Sequence, residues 1–200
     1  LTLTGTATVA QYETALQSVT YVSSSDNPTG TSASRTLTWQ LNDGATANNL
    51  STTKTSTINV TPVNDQPTFA SASPIALSGT EDTVFSFVIS TVLAGKVNDV
   101  DAGASLKGIA ISWNRATTTQ GAWEWSSDGT TWAALPSDIS TNNTANALYL
   151  NASDRLRFTP AANWNGTVPS LVFRVADDTM PTTASGTRLN VNDFTSGTGA

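Results

Sequence analysis

The chain has 200 residues, a formal net charge of −6, and neither cysteine nor histidine. These counts exclude disulfide bonds, zinc fingers, histidine general bases and the Ser-His-Asp and Cys-His catalytic sets, so a bound metal would need oxygen ligands. The nine Lys and Arg residues form no basic stripe, which argues against nucleic-acid binding, and no apolar segment reaches the roughly 18 residues that a membrane-spanning helix requires.

The first third of the chain predicts three strands and one short helix. Apolar and polar residues alternate, as in half-buried strands, over 1–9, 36–41 and 55–60. Between the first two segments, apolar residues recur at the spacing of one helix face over 10–19, which predicts a short helix there.

Short alternating segments continue after Pro67. Turn formers such as Ser127-Asp128-Gly129 and Asn165-Gly166 separate them. Because helical periodicity is almost absent and strands do not alternate with helices, the pattern predicts an all-β fold of tandem antiparallel β-sandwiches with immunoglobulin-like Greek-key topology. The predicted strands of this part are 85–89, 109–113, 123–125, 148–150, 156–158 and 171–175.

A domain boundary is predicted where Pro62 and Pro67 bracket a polar bend after a finished strand. The tripeptide Val-Asn-Asp at 63–65 recurs at 191–193, which indicates a tandem array. The predicted organisation has three parts. These are the C-terminal part of an N-terminally incomplete repeat at 1–66, a complete repeat at 67–193, and a linker or tail at 194–200.

Carboxylates gather in the predicted linkers and loops. Twelve of the fifteen acidic residues are Asp. In a sandwich, the linker, the loop after the second strand and the loop before the last strand meet at the end where the chain enters. Carboxylates that meet there repel one another unless a cation lies among them, and Ca²⁺ takes about six to eight oxygen ligands of this kind. The predicted Ca²⁺ ligands at this end are Asn64, Asp65, Asp99, Asp101 and one of Asp177 or Asp178.

Several of these segments resemble motifs of the cadherin family. The segment 63–67, Val-Asn-Asp-Gln-Pro, is similar to the linker between cadherin repeats, and Asp99-Val100-Asp101 is similar to their Asp-x-Asp loop. Glu81 follows the linker at the offset of the cadherin strand-A glutamate. Three residues stand at the place of the aspartate that precedes the last strand of a cadherin repeat: Asp43, Asp177 and Asp178.

More closely, the chain resembles the cadherin-like repeats of very large bacterial surface adhesins. This resemblance implies a rod of sandwiches on the outside of a bacterium, with Ca²⁺ stiffening each junction and neighbouring repeats as partners. Such a segment spaces or mediates cell adhesion, is not an enzyme, and is expected to be monomeric as a fragment. The similar segments are 5–12, 15–21, 25–28, 41–44, 99–103, 121–129, 158–160 and 163–166.

The chain also departs from the cadherin pattern. Gln66 and the neutral Thr61-Pro62 replace some of the acidic and amide residues of the cadherin linker, so we expect one or two ions per junction instead of three. By cadherin geometry Glu81 faces the opposite end of the second unit and belongs, with Asn192 and Asp193, to a different junction from Asp99 and Asp101. Asp43 has two open interpretations, a Ca²⁺ ligand or an ordinary turn residue in Asn-Asp-Gly, whereas Asp128 is expected to serve a turn.

Two alternatives concern sugars. Exposed Trp side chains could bind cell-surface or matrix glycans, and paired carboxylates could belong to a glycosidase, although no cleft is evident. Trp123 and Trp125 point to one face of their strand, which with Trp113 is most simply the core, whereas Trp132 and Trp164 lie beside turns and are the better candidates for exposure.

Overall fold

The computed structural model describes residues 1–71 and 75–191. The fold is mostly β, with antiparallel sheets throughout, as predicted. The chain divides into two compact units, one over Leu1–Pro62 and a second that begins at Val63. The polar segment 63–66, which the sequence groups with the first region, therefore belongs to the second unit.

The first unit contains helix α1 (Val9–Gln17) and one antiparallel pair, β1 (Ser34–Trp39) with β2 (Lys54–Asn59). The helix was predicted, but the strand predicted over 1–9 is wrong, because Thr8 begins the helix. Its hydroxyl accepts a hydrogen bond from the Gln11 amide while the Gln11 side chain accepts one from the Thr8 amide. No residue of this unit is buried.

The second unit contains two four-stranded sheets and a small two-stranded one. The elements are β3 (Thr68–Phe69), β4 (Phe85–Val88), α2 (Ile89–Leu93), β5 (Val97–Asn98), β6 (Leu106–Asn114), β7 (Gly121–Ser126), β8 (Ala133–Ala134), two 3₁₀ turns (Ser137–Ile139 and Thr144–Asn146), β9 (Ala147–Asn151), β10 (Arg155–Pro160), β11 (Leu171–Asp177) and β12 (Arg188–Leu189). The order of the first sheet is β4-β10-β7-β8, that of the second is β11-β6-β9-β12, and β3 pairs with β5.

Both four-stranded sheets contribute side chains to one core. Trp123 and Phe158 from the first sheet lie in the same buried cluster as Ile111 and Leu150 from the second. The rings of Trp123 and Phe158 are 5.2 Å apart, and the indole N–H of Trp123 donates to the carbonyl of Pro169 at 2.9 Å. Burial of each such side chain contributes about 1.5–3 kcal/mol, so this cluster holds the two sheets together.

Two local features of the second unit differ from the predictions. The strand predicted over 85–89 ends at Val88, and Ile89 begins the unpredicted short helix α2, where its side chain is 1% exposed. Trp113 is only half-buried, and the pairing of β6 with β11 shifts register beside it, between Val172 and Phe173. None of the helices in the described ranges is long and apolar enough to cross a membrane.

Candidate cation site

Two strand pairings bring the predicted acidic segments to one end of the second unit. β3 runs antiparallel to β5 with Thr68 opposite Asn98, so the residues just before Thr68 lie beside those just after Asn98. In the neighbouring sheet Asp177 lies opposite Leu106, which places the end of β11 next to the loop that leads from β5 into β6. We call this the linker end; it comprises residues 63–67, 99–105 and 177–179.

Hydrogen bonds connect the three segments of the linker end. The main-chain N–H of Asp65 donates to Oδ2 of Asp101 at 2.7 Å, and the N–H of Asp101 donates to Oδ1 of Asp99 at 2.9 Å. The side-chain amide of Asn64 donates to Oδ2 of Asp177 at 3.1 Å. The structure therefore brings together five of the residues that the sequence predicts as ligands.

Asp177 and Asp178, which the sequence left as alternatives, occupy different environments. Asp177 is 2% exposed, and its Oδ1 accepts hydrogen bonds from the main-chain N–H and the hydroxyl of Thr179, at 3.0 and 2.6 Å. Asp178 is exposed, and its Oδ1 accepts from the N–H of Ser105 at 3.1 Å. Asp177 is thus the carboxylate that faces Asn64, while Asp178 ties the following turn to the loop before β6.

Asp99 carries an unsatisfied oxygen inside this cluster. Its Oδ2 is buried, and it is the single side-chain oxygen or nitrogen in the described parts of the chain that is buried without a hydrogen-bond partner. A buried polar atom without a partner costs about 1–3 kcal/mol, and more when the group is charged. The position of this oxygen therefore calls for a donor or a cation that the protein itself does not supply.

None of the ion pairs found within residues 1–71 and 75–191 involves Asp99, Asp101 or Asp177. The two ion pairs of these ranges join Arg157 to Glu124 and Arg188 to Asp138. Within the same ranges, as their side chains stand, no three carboxylates are close enough to one another to hold a metal ion between them.

A cavity of about 250 Å³ adjoins the cluster. Asp99 and Asp177 line it together with apolar residues such as Leu93 and Val97. These two carboxylates therefore have open space beside them, which a rearrangement around an ion requires.

The remaining predicted ligands lie elsewhere. Asn192 and Asp193 fall outside the described residues. Glu81 lies in a pocket with Trp164 before the start of β11, and because β11 ends at the linker end, this pocket is at the opposite end of the sheets. Asp43 belongs to the first unit, where its Oδ1 accepts from the N–H of Ala45 at 2.9 Å in a turn.

Asp128 has the turn role expected for it. Its Oδ1 accepts hydrogen bonds from the main-chain N–H groups of Thr131 and Thr130, at 2.7 and 2.8 Å, and from the Ser126 hydroxyl at 2.9 Å. The two main-chain donors, with that of Thr131 first, hold the pKa of Asp128 below its usual range. Oδ1 of this carboxylate is therefore engaged by its own turn.

Two half-buried Trp side chains stack against arginines. The guanidinium of Arg157 lies 4.2 Å from the ring centre of Trp132, and that of Arg115 lies 4.0 Å from the ring centre of Trp113. Such cation–π contacts cover one face of each indole. Trp164 is also half-buried, and its ring packs edge-to-face with that of Phe158 at a centroid distance of 5.7 Å. None of these three indoles is fully exposed.

A buried polar cluster was not predicted. Asp154 is 2% exposed and accepts from the N–H of Asn151 at 2.8 Å and from the hydroxyl of Ser185, which ties the turn between β9 and β10 to the loop before β12. Burial, and secondarily the charge of Asp154, raises the pKa of Tyr149 beside it. The local sequence Asn-Ala-Ser-Asp is typical of an exposed turn, so no sequence signal pointed to this burial.

Comparisons with known proteins found no relative. No family model matches the sequence, and neither the curated proteins nor the solved structures include a match.

Proposed function

We propose that the second unit is a cadherin-like β-sandwich stabilised by Ca²⁺ at its linker end, and that the chain is a structural repeat segment of a bacterial cell-surface adhesin. In this role it works outside the cell as a spacer and catalyses no reaction. The observation that carries the proposal is the buried, unpartnered Oδ2 of Asp99, in a cluster with Asp101 and Asp177; these three carboxylates take part in none of the ion pairs found among the described residues.

The chemistry of the linker end suits a hard cation. Its side chains offer carboxylate and amide oxygens, which Ca²⁺ binds with flexible geometry, whereas Mg²⁺ demands a stricter octahedron and retains more water. Asp99, Asp101 and Asp177 would hold the ion, and the adjoining cavity, which Asp99 and Asp177 line, gives these two side chains room to move toward it. Asn64 would contribute its amide oxygen once its amide group turns over, since it now presents its N–H₂ to Asp177.

An ion at this position would fix the course of the chain that leads into the second unit. Asn64 and Asp65 directly follow Pro62-Val63, and each already contacts a carboxylate of the loops beyond it. Holding them through a cation as well would restrain the direction of the linker. A spacer built from tandem repeats needs this property, because the array stays extended only if the junctions between repeats are stiff.

The test is the response of thermal unfolding to Ca²⁺. A ligand that binds only the folded state at ten times its Kd stabilises by about 1.4 kcal/mol, and extracellular Ca²⁺ modules bind at about 10⁻⁴ to 10⁻³ M. About 10 mM Ca²⁺ should therefore raise the Tm of the second unit, and a chelator should reverse the rise. A Tm that is the same with Ca²⁺ and with chelator would overturn the proposal.

A single variant makes the test specific. Asp99→Asn should abolish most of the Ca²⁺ response, while in chelator it should be as stable as the parent or more stable, because it replaces a buried charge with a neutral amide. Asp26→Asn, the same change at an exposed aspartate of the first unit, should leave the response intact. Small-angle scattering of the whole chain with and without Ca²⁺ then reports whether the linker stiffens.

A further inference from the structure

The second pocket of the second unit has one acidic and several aromatic walls. Its volume is about 250 Å³, and Phe85, Phe158 and Trp164 line it together with Glu81. Phe85 and Trp164 are half-buried, with part of each side chain open to solvent, and the fully buried Phe158 lies beneath them. The pocket therefore combines an apolar aromatic floor with a carboxylate at its rim.

The carboxylate of Glu81 has no bonding partner among the described residues. In the described parts of the chain its side chain takes part in no hydrogen bond and no ion pair, whereas Glu124 is bound by Arg157. None of the residues that line the pocket carries a positive charge. The pocket thus presents a negative potential that no group of its own lining offsets.

Two loops in unusual backbone conformations form the rim. Asp82 and Asn163 have positive φ values of 56° and 60°, a region that few residues other than glycine adopt. They contact each other, since Oδ1 of Asp82 accepts from the N–H of Asn163 at 2.9 Å. This contact joins the turn that carries Glu81 to the loop that carries Trp164.

Glycine allows the close packing of the aromatic wall. A Cβ atom at Gly166 would lie 2.7 Å from Cζ2 of Trp164, and one at Gly79 would lie 2.5 Å from Cδ1 of Phe85. Both distances are shorter than any normal contact, so a larger residue at either position would displace a ring. The main chain at both glycines therefore sets the positions of the aromatic side chains.

We propose that this pocket binds a small organic ammonium group. An anion would be repelled by Glu81, and a neutral apolar group would gain nothing from its charge. An alkylammonium can bind both the aromatic rings and the carboxylate. Its carbon atoms pack on the rings, while its positive charge interacts with their π faces and with the carboxylate. The inference concerns the end of the sheets opposite the linker end and does not depend on the Ca²⁺ proposal.

The test is a titration of the whole chain in chelator, followed by ¹H–¹⁵N NMR at the Trp indole and glycine amide signals. Choline and n-butylammonium serve as probes for a free quaternary amine and for a lysine-like primary amine. We expect shifts at Trp164, Gly79 and Gly166 with at least one probe. 3,3-Dimethyl-1-butanol, the uncharged analogue of choline, should bind at least about fivefold more weakly, the factor expected when a charge interaction close to a carboxylate at the surface is lost.

Glu81→Gln should weaken binding of the ammonium probe by a similar factor, and Glu13→Gln, at an exposed glutamate of the first unit, should not change it. Equal binding of the uncharged analogue would overturn the inference in favour of a simple apolar pocket. Shifts caused by glucose instead of the amines would overturn it in favour of a sugar. Shifts caused by Ca²⁺ alone, lost in Glu81→Gln, would assign Glu81 to the second metal junction instead.

Discussion

The two units of this chain contain similar strand sequences but differ in what they bury. The first unit has one strand pair and a helix, and none of its residues is buried, whereas the second has two four-stranded sheets around a common core. Eight of the eleven exposed large hydrophobic residues of the described chain lie in the first unit. A two-stranded sheet is marginal in water, so alternation alone predicts a strand but not the stability of the unit that contains it.

The largest difference in stability between the two units is expected when a core side chain is removed. Trp123→Ala should destabilise the second unit by about 3–5 kcal/mol, since it leaves a cavity and removes the partner of the Pro169 carbonyl. Trp39→Ala in the first unit should cost only about 1–2 kcal/mol, because Trp39 is half-buried and its N–H bonds an exposed Ser56 hydroxyl at 2.9 Å.

Urea titrations read by hydrogen exchange with mass spectrometry report on peptides of each unit separately. Trp123→Phe, which keeps most of the ring volume, serves as the control and should lose clearly less than Trp123→Ala. If the two alanine variants lowered stability by equal amounts, the difference in burial between the units would not translate into a difference in stability.

A smaller effect is expected at the helix cap of the first unit. Thr8→Ala removes both hydrogen bonds that the Thr8 hydroxyl makes with Gln11 and should destabilise α1 by about 1 kcal/mol. Amides of 9–17 should then exchange faster, and those of the second unit should exchange as before. Thr8→Ser keeps the hydroxyl and should behave like the parent; faster exchange in this variant as well would mean that the cap is not the cause.

The same cap shows where sequence patterns mislead. Alternation over 1–9 fits a strand, but the reciprocal bonds of Thr8 and Gln11 start a helix at Val9, and local capping chemistry overrides a pattern that no neighbouring strand supports.

Helix α2 was missed for a different reason. Its five residues are too few to display a helical period, and Ile89 and Leu93 are buried by tertiary packing.

The linker end could be anticipated because strand pairing determines it. Once Thr68 pairs with Asn98, residues just before and just after the two strands must be neighbours, and Asp65 and Asp101 follow from that register. What the sequence could not provide is the state of individual atoms. That Asp177 is buried while Asp178 is exposed, and that Oδ2 of Asp99 lacks a partner, depends on side-chain packing across three segments distant in the chain.

The smallest expected effect concerns the ion pair between Glu124 and Arg157 in the second unit. Nε of Arg157 lies 2.7 Å from Oε2 of Glu124, and this hydrogen-bonded partner lowers the pKa of Glu124. In the first unit, by contrast, Arg35 donates to main-chain carbonyls such as that of Ser32. A carboxylate whose pKa is lower in the folded state adds stability above its unfolded pKa and loses it as the pH falls through the folded value.

Glu124→Gln should therefore lower the free energy of unfolding of the second unit slightly at pH 7. This stability difference between variant and parent should disappear as the pH falls below about 4. Glu13→Gln in the first unit should leave the stability of the second unit unchanged at either pH. Because both partners are partly exposed, 1 M NaCl should also reduce the stability difference between variant and parent at pH 7. A stability difference that stayed the same in acid would mean that Glu124 contributes through packing and not through its charge, and the contrast between the two units would then rest on buried apolar surface alone.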